Sequence, residues 1–193
     1  MRRVKIGDVY YIKVPNGYKI FQYAYDIPRK GRYIRVFDGL YQEIPKNLSD
    51  IVHSQHSYII SLYITKACRI GLAVFLDNIP VPSEYPFPRY QLNFLINYRL
   101  QQVEQIHVMS ADATTSVWQW FDVDSIDKLP QEYRNTTLLN SHVSPDWLLY
   151  LFDVGFDLKH IERFHLGSNP EEILKPYIEI IDYFDPGYSS GIN

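Results

Sequence analysis

Asp8-Val9-Tyr10-Tyr11-Ile12-Lys13-Val14, followed at once by Pro15-Asn16-Gly17, is the stretch on which the fold turns. β-Branched and aromatic side chains suit a pleated surface. Proline presets φ and Asn-Gly tolerates left-handed backbone, so this run reads as a strand ending in a tight turn. The pattern then repeats. Tyr18–Ile27 is stopped by Pro28, Arg29-Lys30-Gly31 makes a second turn, and Arg32–Asp38 makes a third strand. Connections this short join antiparallel neighbours, because a parallel pair needs a crossover of a dozen residues or more. Tyr11 lies on one face of the first strand, and Tyr10, Ile12 and Val14 on the other. With apolar groups on both faces, the sheet is expected to be covered on both sides or curled into a small β-barrel.

Working outward, residues 40–57 carry Pro45, Asn47 and Ser49 and read as a polar connection with one helical turn. Tyr58–Thr65 alternates with period two, and Gly71–Asp77 is a continuous apolar run of the kind expected in a buried strand. Pro80, Pro82, Pro86 and Pro88 exclude helix and central strand alike, which leaves a polyproline-like loop. Val103–Ser110 and Thr115–Val123 form an expected hairpin through residues 111–114, with Trp118 and Trp120 on one face.

From residue 144 the period lengthens to that of a helix. Ser144 is an N-cap, Pro145 and Asp146 suit a first turn, and Trp147–Asp153 runs to a terminating Gly155. Asp157 caps an expected short helix with Leu158, Ile161 and Phe164 on one side. Ile173, Leu174, Tyr177, Ile178 and Ile181 form an apolar stripe that Pro176 is expected to kink or divide. The expectation is one domain over residues 1–193 of the α+β class. Residues 1–123 are mainly β, an antiparallel curled sheet or small β-barrel, followed by two or three C-terminal helices as a cap over 144–184.

With 46% hydrophobic and 21% charged residues, 193 residues can bury one sizeable core, which excludes wholesale disorder. The net charge of −3 conceals a gradient. Residues 1–40 carry nine basic and three acidic side chains, whereas residues 111–193 carry five and fourteen. Cys68 stands alone, so no intramolecular disulfide forms, and it reads as a small buried hydrophobe. Gly7 and Asp8 interrupt any apolar run after Arg2, Arg3 and Lys5, and no run approaches the roughly 20 residues of a membrane span, so no signal peptide, no membrane association and a cytoplasmic location are expected.

Candidate chemistry is sparse. His53-Ser54-Gln55-His56 lacks further ligands at zinc spacing and reads as loop histidines; His160, Glu162 and His165 do not share a helix face. Asp122-Val123-Asp124 with Asp127 has the look of a divalent-ion site, but aspartates after a strand serve turns and caps more often. No GxSxG, P-loop or GxGxxG is present among the 9 glycines. No catalytic residue, metal or cofactor is therefore expected, and the protein reads as non-enzymatic.

Two interaction readings remain. Arg2, Arg3, Lys5, Lys13, Lys19, Arg29, Lys30, Arg32 and Arg35 are interleaved with tyrosines, which would suit a small β-barrel that binds nucleic acid. The acidic C-terminal block would repel a long polyanion, so this is the alternative. At the other pole, Trp118 and Trp120 offer anchors, and Asp122, Asp124 and Asp127 offer charge to steer a basic protein.

Ile6-Gly7-Asp8-Val9-Tyr10-Tyr11-Ile12-Lys13-Val14, the strand Tyr18–Ile27, the run Tyr33-Ile34-Arg35-Val36-Phe37-Asp38, and the later Pro80-Val81-Pro82 and Pro86-Phe87-Pro88-Arg89 form a larger pattern. Over about the first 90 residues it resembles the immunity protein 26 family of bacterial polymorphic toxin systems. Around Ala67–Val74, where that family tends to carry a tryptophan, this chain has none. The resemblance implies a cytoplasmic protein that binds a cognate toxin and blocks it without chemistry of its own; the acidic C-terminal region adds the expectation of a basic toxin such as a nuclease domain. It carries over no catalytic residue.

Overall fold

The computed structural model describes residues 2–28, 30–97, 102–111, 117–123, 126–139, 145–155 and 170–187. The first three strands are β1 (Asp8–Val14), β2 (Gly17–Ile27) and β3 (Gly31–Phe37), the meander expected from the turn chemistry. At the first turn a Cβ on Gly17 would stand 2.6 Å from the Tyr41 carbonyl oxygen, so only glycine allows the chain to pass there. Helix α1 (Leu48–His53) leads into β4 (His56–Ser61), helix α2 (Ile64–Arg69) and β5 (Ala73–Asn78). Strands β6 (Tyr90–Asn97), β7 (Gln102–Ser110), β8 (Trp118–Phe121) and the two-residue β9 (Leu138–Leu139) complete one sheet in the order β5-β1-β2-β3-β4-β9-β6-β7-β8.

The architecture is α+β with a curled, open sheet rather than a closed barrel. Two antiparallel blocks, β5-β1-β2-β3-β4 and β6-β7-β8, are joined by β9, which runs parallel to both β4 and β6. Among the described residues, the C-terminal cap consists of α3 (Pro145–Val154) and α4 (Pro170–Phe184). The Ser144 cap, the helix expected after Asp157 and the cluster of His160, Glu162 and His165 lie outside the described residues.

Strand alternation sends Tyr10, Ile12, Phe21, Ile34, Val36, Tyr58 and Ile60 to one face, where Ala67 of α2, Leu149 and Phe152 of α3, and Leu174 and Ile181 of α4 close over them. The turn that ends β1 helps dock this layer. Asp153 of α3 accepts from the Asn16 backbone N–H at 3.1 Å, from Asn16 Nδ2 at 2.9 Å and from the Tyr177 hydroxyl at 2.8 Å. On the opposite face Val9, Ile20 and Phe37 pack with Val52 of α1. Beside them Tyr33, Ile59 and Leu138 pack with Phe87, whose ring lies 5.1 Å from Tyr33 and 5.2 Å from Tyr25. The proline-bearing loop is thus a lid over the first block.

Under that lid Arg35 is fully buried. Its guanidinium donates to Gln22 Oε1 at 3.0 Å, the Val52 carbonyl at 3.2 Å, the Ser54 carbonyl at 3.3 Å and His56 Nδ1 at 3.3 Å. The Tyr85 ring lies 4.3 Å away as a π partner. Because His56 Nδ1 accepts, its Nε2 carries the hydrogen and donates to Thr137 Oγ1 at 3.0 Å, next to β9. Burial, with Arg35 adding to it, lowers the His56 pKa to about 4.

Several sequence expectations are corrected. β4 stops at Ser61, and Ile64 and Ala67 instead form the buried side of α2, because their spacing of three fits a helix face as well as a strand fits alternation. Gly71–Asp77 does not make a buried strand: β5 is a sheet edge with Val74 and Phe75 exposed. Of the two outcomes expected at Pro176, division does not occur: α4 runs through it with the proline on the solvent side. His56 is buried rather than solvated, and Cys68 is only half-buried. Strands β6 and β9 had no counterpart in the sequence reading.

Candidate partner-binding surface

The second block begins from the same alternation. Leu92, Ile106, Val108 and Phe121 face the main core, covered by Ile126, Leu129 and Tyr133. The residues between them point the other way. In register, His107 stands opposite Trp120 and Met109 opposite Trp118, so these four side chains share one face of β7 and β8. In the first block α1 and the proline-bearing loop cover this side; here Trp118 is 67% and Trp120 48% exposed.

Both indoles pack against one histidine ring. Trp120 stacks on the His107 ring with centroids 4.1 Å apart and planes at 15°, while Trp118 meets the same ring edge-on at 4.7 Å. The imidazole is thereby only 2% exposed, and burial lowers its pKa. Its Nε2 has no hydrogen-bond partner among the described residues. Behind it, Gln91 Nε2 reaches the Met109 sulfur at 3.7 Å. Asp122, just after β8, is exposed and accepts a hydrogen bond from Gln105 Nε2 on β7. The result is an aromatic shelf on the last strand of the sheet, with a carboxylate just beyond its end.

Of the five residues singled out from the sequence, the fold brings together Trp118, Trp120 and Asp122. Asp127 sits in a short 3-10 turn, Ile126–Lys128, and lines a different feature: a polar cleft of about 490 Å³ shared with Asp38, His56 and Arg134. Asp124 lies outside the described residues. His107, Met109 and Gln105 went unread as members of the surface. Their signal was present, since they alternate with Ile106 and Val108 along a strand the sequence does reveal.

The remaining candidates separate. His53 is exposed on α1 with Nδ1 2.8 Å from the Ser49 carbonyl oxygen, whereas His56 belongs to the Arg35 network. Among the described residues no group of three or more His, Cys, Asp or Glu is placed to hold a metal ion, and no helix is long and apolar enough to cross a membrane. Of the basic and aromatic residues interleaved near the N-terminus, Lys19, Arg35, Tyr10, Phe21, Tyr23 and Tyr33 are buried, whereas Arg2, Arg3, Lys5, Lys13, Lys30 and Arg32 are exposed. Comparison with known proteins finds no matching family model, no matching curated protein and no matching solved structure.

Proposed function

We propose that this protein binds another protein through the Trp118–Trp120 shelf and, following the resemblance of its N-terminal strands, that it acts as a non-enzymatic immunity protein that neutralises a cognate bacterial toxin. The observation that carries the reading is the pair of solvent-facing indoles stacked on His107, on a sheet face that no described segment covers. Contiguous exposed apolar surface marks interaction sites, and tryptophan is prominent among the residues that dominate binding energy. Stacking on His107 restricts the rings before docking, which lowers the rotamer entropy lost on binding. Asp122 and the acidic excess of residues 111–193 favour a basic partner such as a nuclease domain by accelerating encounter.

The test is co-expression with the toxin domain encoded beside it. The intact chain should rescue growth and co-purify with the toxin as a stable complex. A folded variant with Trp118, Trp120, Asp122 and Asp124 all replaced should do neither. Normal rescue by that variant removes the surface from the proposal, and failure of the intact chain to bind the toxin removes the function.

A further inference from the structure

The Gly7-Asp8 pair that opens the first strand has a structural purpose that leads away from the tryptophan shelf. Gly7 adopts φ +92°, and a Cβ there would stand 2.8 Å from the Ile79 carbonyl oxygen, so the chain can make this bend only with glycine. Its N–H donates to the Tyr23 carbonyl at 2.8 Å, and its carbonyl accepts from the Ile79 N–H at 3.0 Å. Asp8, fully buried, then gathers the segment before it: it accepts from Arg2 at 2.7 Å, the Lys5 backbone N–H at 2.8 Å, the Tyr10 hydroxyl at 2.9 Å and Asn78 Nδ2 at 2.8 Å. Residues 2–6 are thereby fixed as an arch beside β2.

Under the arch is a cleft of about 550 Å³ whose lining includes Arg2, Arg3, Lys5 and Arg32 against a single carboxylate, Asp26. That carboxylate is occupied, with Arg32 Nε at 3.6 Å and the Tyr23 hydroxyl donating at 2.9 Å. Two of the cations are held before any ligand arrives. Arg2 is pinned between Asp8 and the Phe75 ring, 3.4 Å from its centroid, and Arg32 donates to Thr65 Oγ1. Arg3 and Lys5 are exposed and form no ion pair among the described residues.

From this we infer that the cleft is a binding site for a small ligand bearing two or more phosphate groups. Arg2 and Arg32, offset by Asp8 and Asp26, fix the walls of the cleft, and the free Arg3 and Lys5 supply the uncompensated positive charge and the N–H donors that phosphate groups take up. Preorganisation by the buried Asp8 reduces the ordering cost of binding. The site is independent of the toxin-binding reading and stands or falls apart from it.

Isothermal titration of the full chain with inorganic tripolyphosphate tests the site, with a single-stranded oligonucleotide as the second titrant. Saturable 1:1 binding is expected. The exposed pair R3A/K5A should weaken it about tenfold or more, while K13A/K46A, two exposed lysines outside the cleft, should change it less than about twofold. No saturable binding, or equal weakening by both pairs, overturns the inference. So does tighter binding of the oligonucleotide that depends on Lys13 and Lys46, since that would make the cleft one part of a diffuse polyanion-binding face.

Discussion

The blocks β5-β1-β2-β3-β4 and β6-β7-β8 share antiparallel geometry and the same alternation of side chains, yet they treat their faces differently. In the first, helices close one side and α1 with the proline-bearing loop closes the other, so even Arg35 is sealed inside and must be satisfied by four acceptors. In the second, the described segments cover the core-facing side, and the outer side presents Trp118 and Trp120. The difference separates a structural aromatic from an interaction aromatic. Ring count is uninformative; what matters is whether another segment lies over the ring.

The comparison breaks most sharply if stability does not follow coverage. Phe21→Ala removes a ring that stacks on Tyr10 and packs at a tilt against Phe152, and should cost about 3–5 kcal/mol in chemical denaturation. Trp118→Ala on the bare face should cost less than about 1 kcal/mol. Similar losses from the two would erase the distinction between blocks.

The seam between the blocks should show itself in pH. His56 is neutral in the fold with its pKa lowered to about 4, so the unfolded chain takes up a proton first. This contribution is complete above pH about 6.5, falls as the pH is lowered toward 4, and amounts to about 3 kcal/mol overall. Denaturation of His56→Gln should lack that part of the acid sensitivity; an unchanged pH profile would show that the histidine does not hold the seam.

Smaller effects belong to the open face. With the toxin partner in hand, Trp120→Ala should weaken binding by about 2 kcal/mol, roughly thirtyfold, while the melting temperature stays nearly constant. Asp122→Asn should slow association only about two- to fivefold at low salt, a difference that disappears at high salt, measured by stopped-flow mixing. An Asp122→Asn effect confined to dissociation would make that carboxylate a buried contact instead of a steering charge.

Much of the fold was legible because its signals are local. Pro15-Asn16-Gly17 and Gly31 punctuate the first three strands to within about a residue, and Pro145 starts α3 as a first-turn proline should. What escaped reading depends on distant partners. β9 is two residues long and exists only because Ile59 and Gln91 lie on either side of Leu138. The apolar run in β5 carried no mark of an edge, since nothing in Val74-Phe75-Leu76 says whether a further strand follows.

The candidate surface divides in the same way. Local pattern alone placed Trp118 and Trp120 on one side of a strand with Asp122 beside them, because side chains alternate strictly along extended backbone. It could not say whether that side faced the core, nor that Asp127 would turn toward another cleft, nor that His107 would lie beneath the indoles. Those outcomes were decided by tertiary structure, for a physical reason: coverage of a sheet face is supplied by segments tens of residues away, and the loop around Phe87 reaches Tyr25 and Tyr33 while no described segment covers the tryptophans.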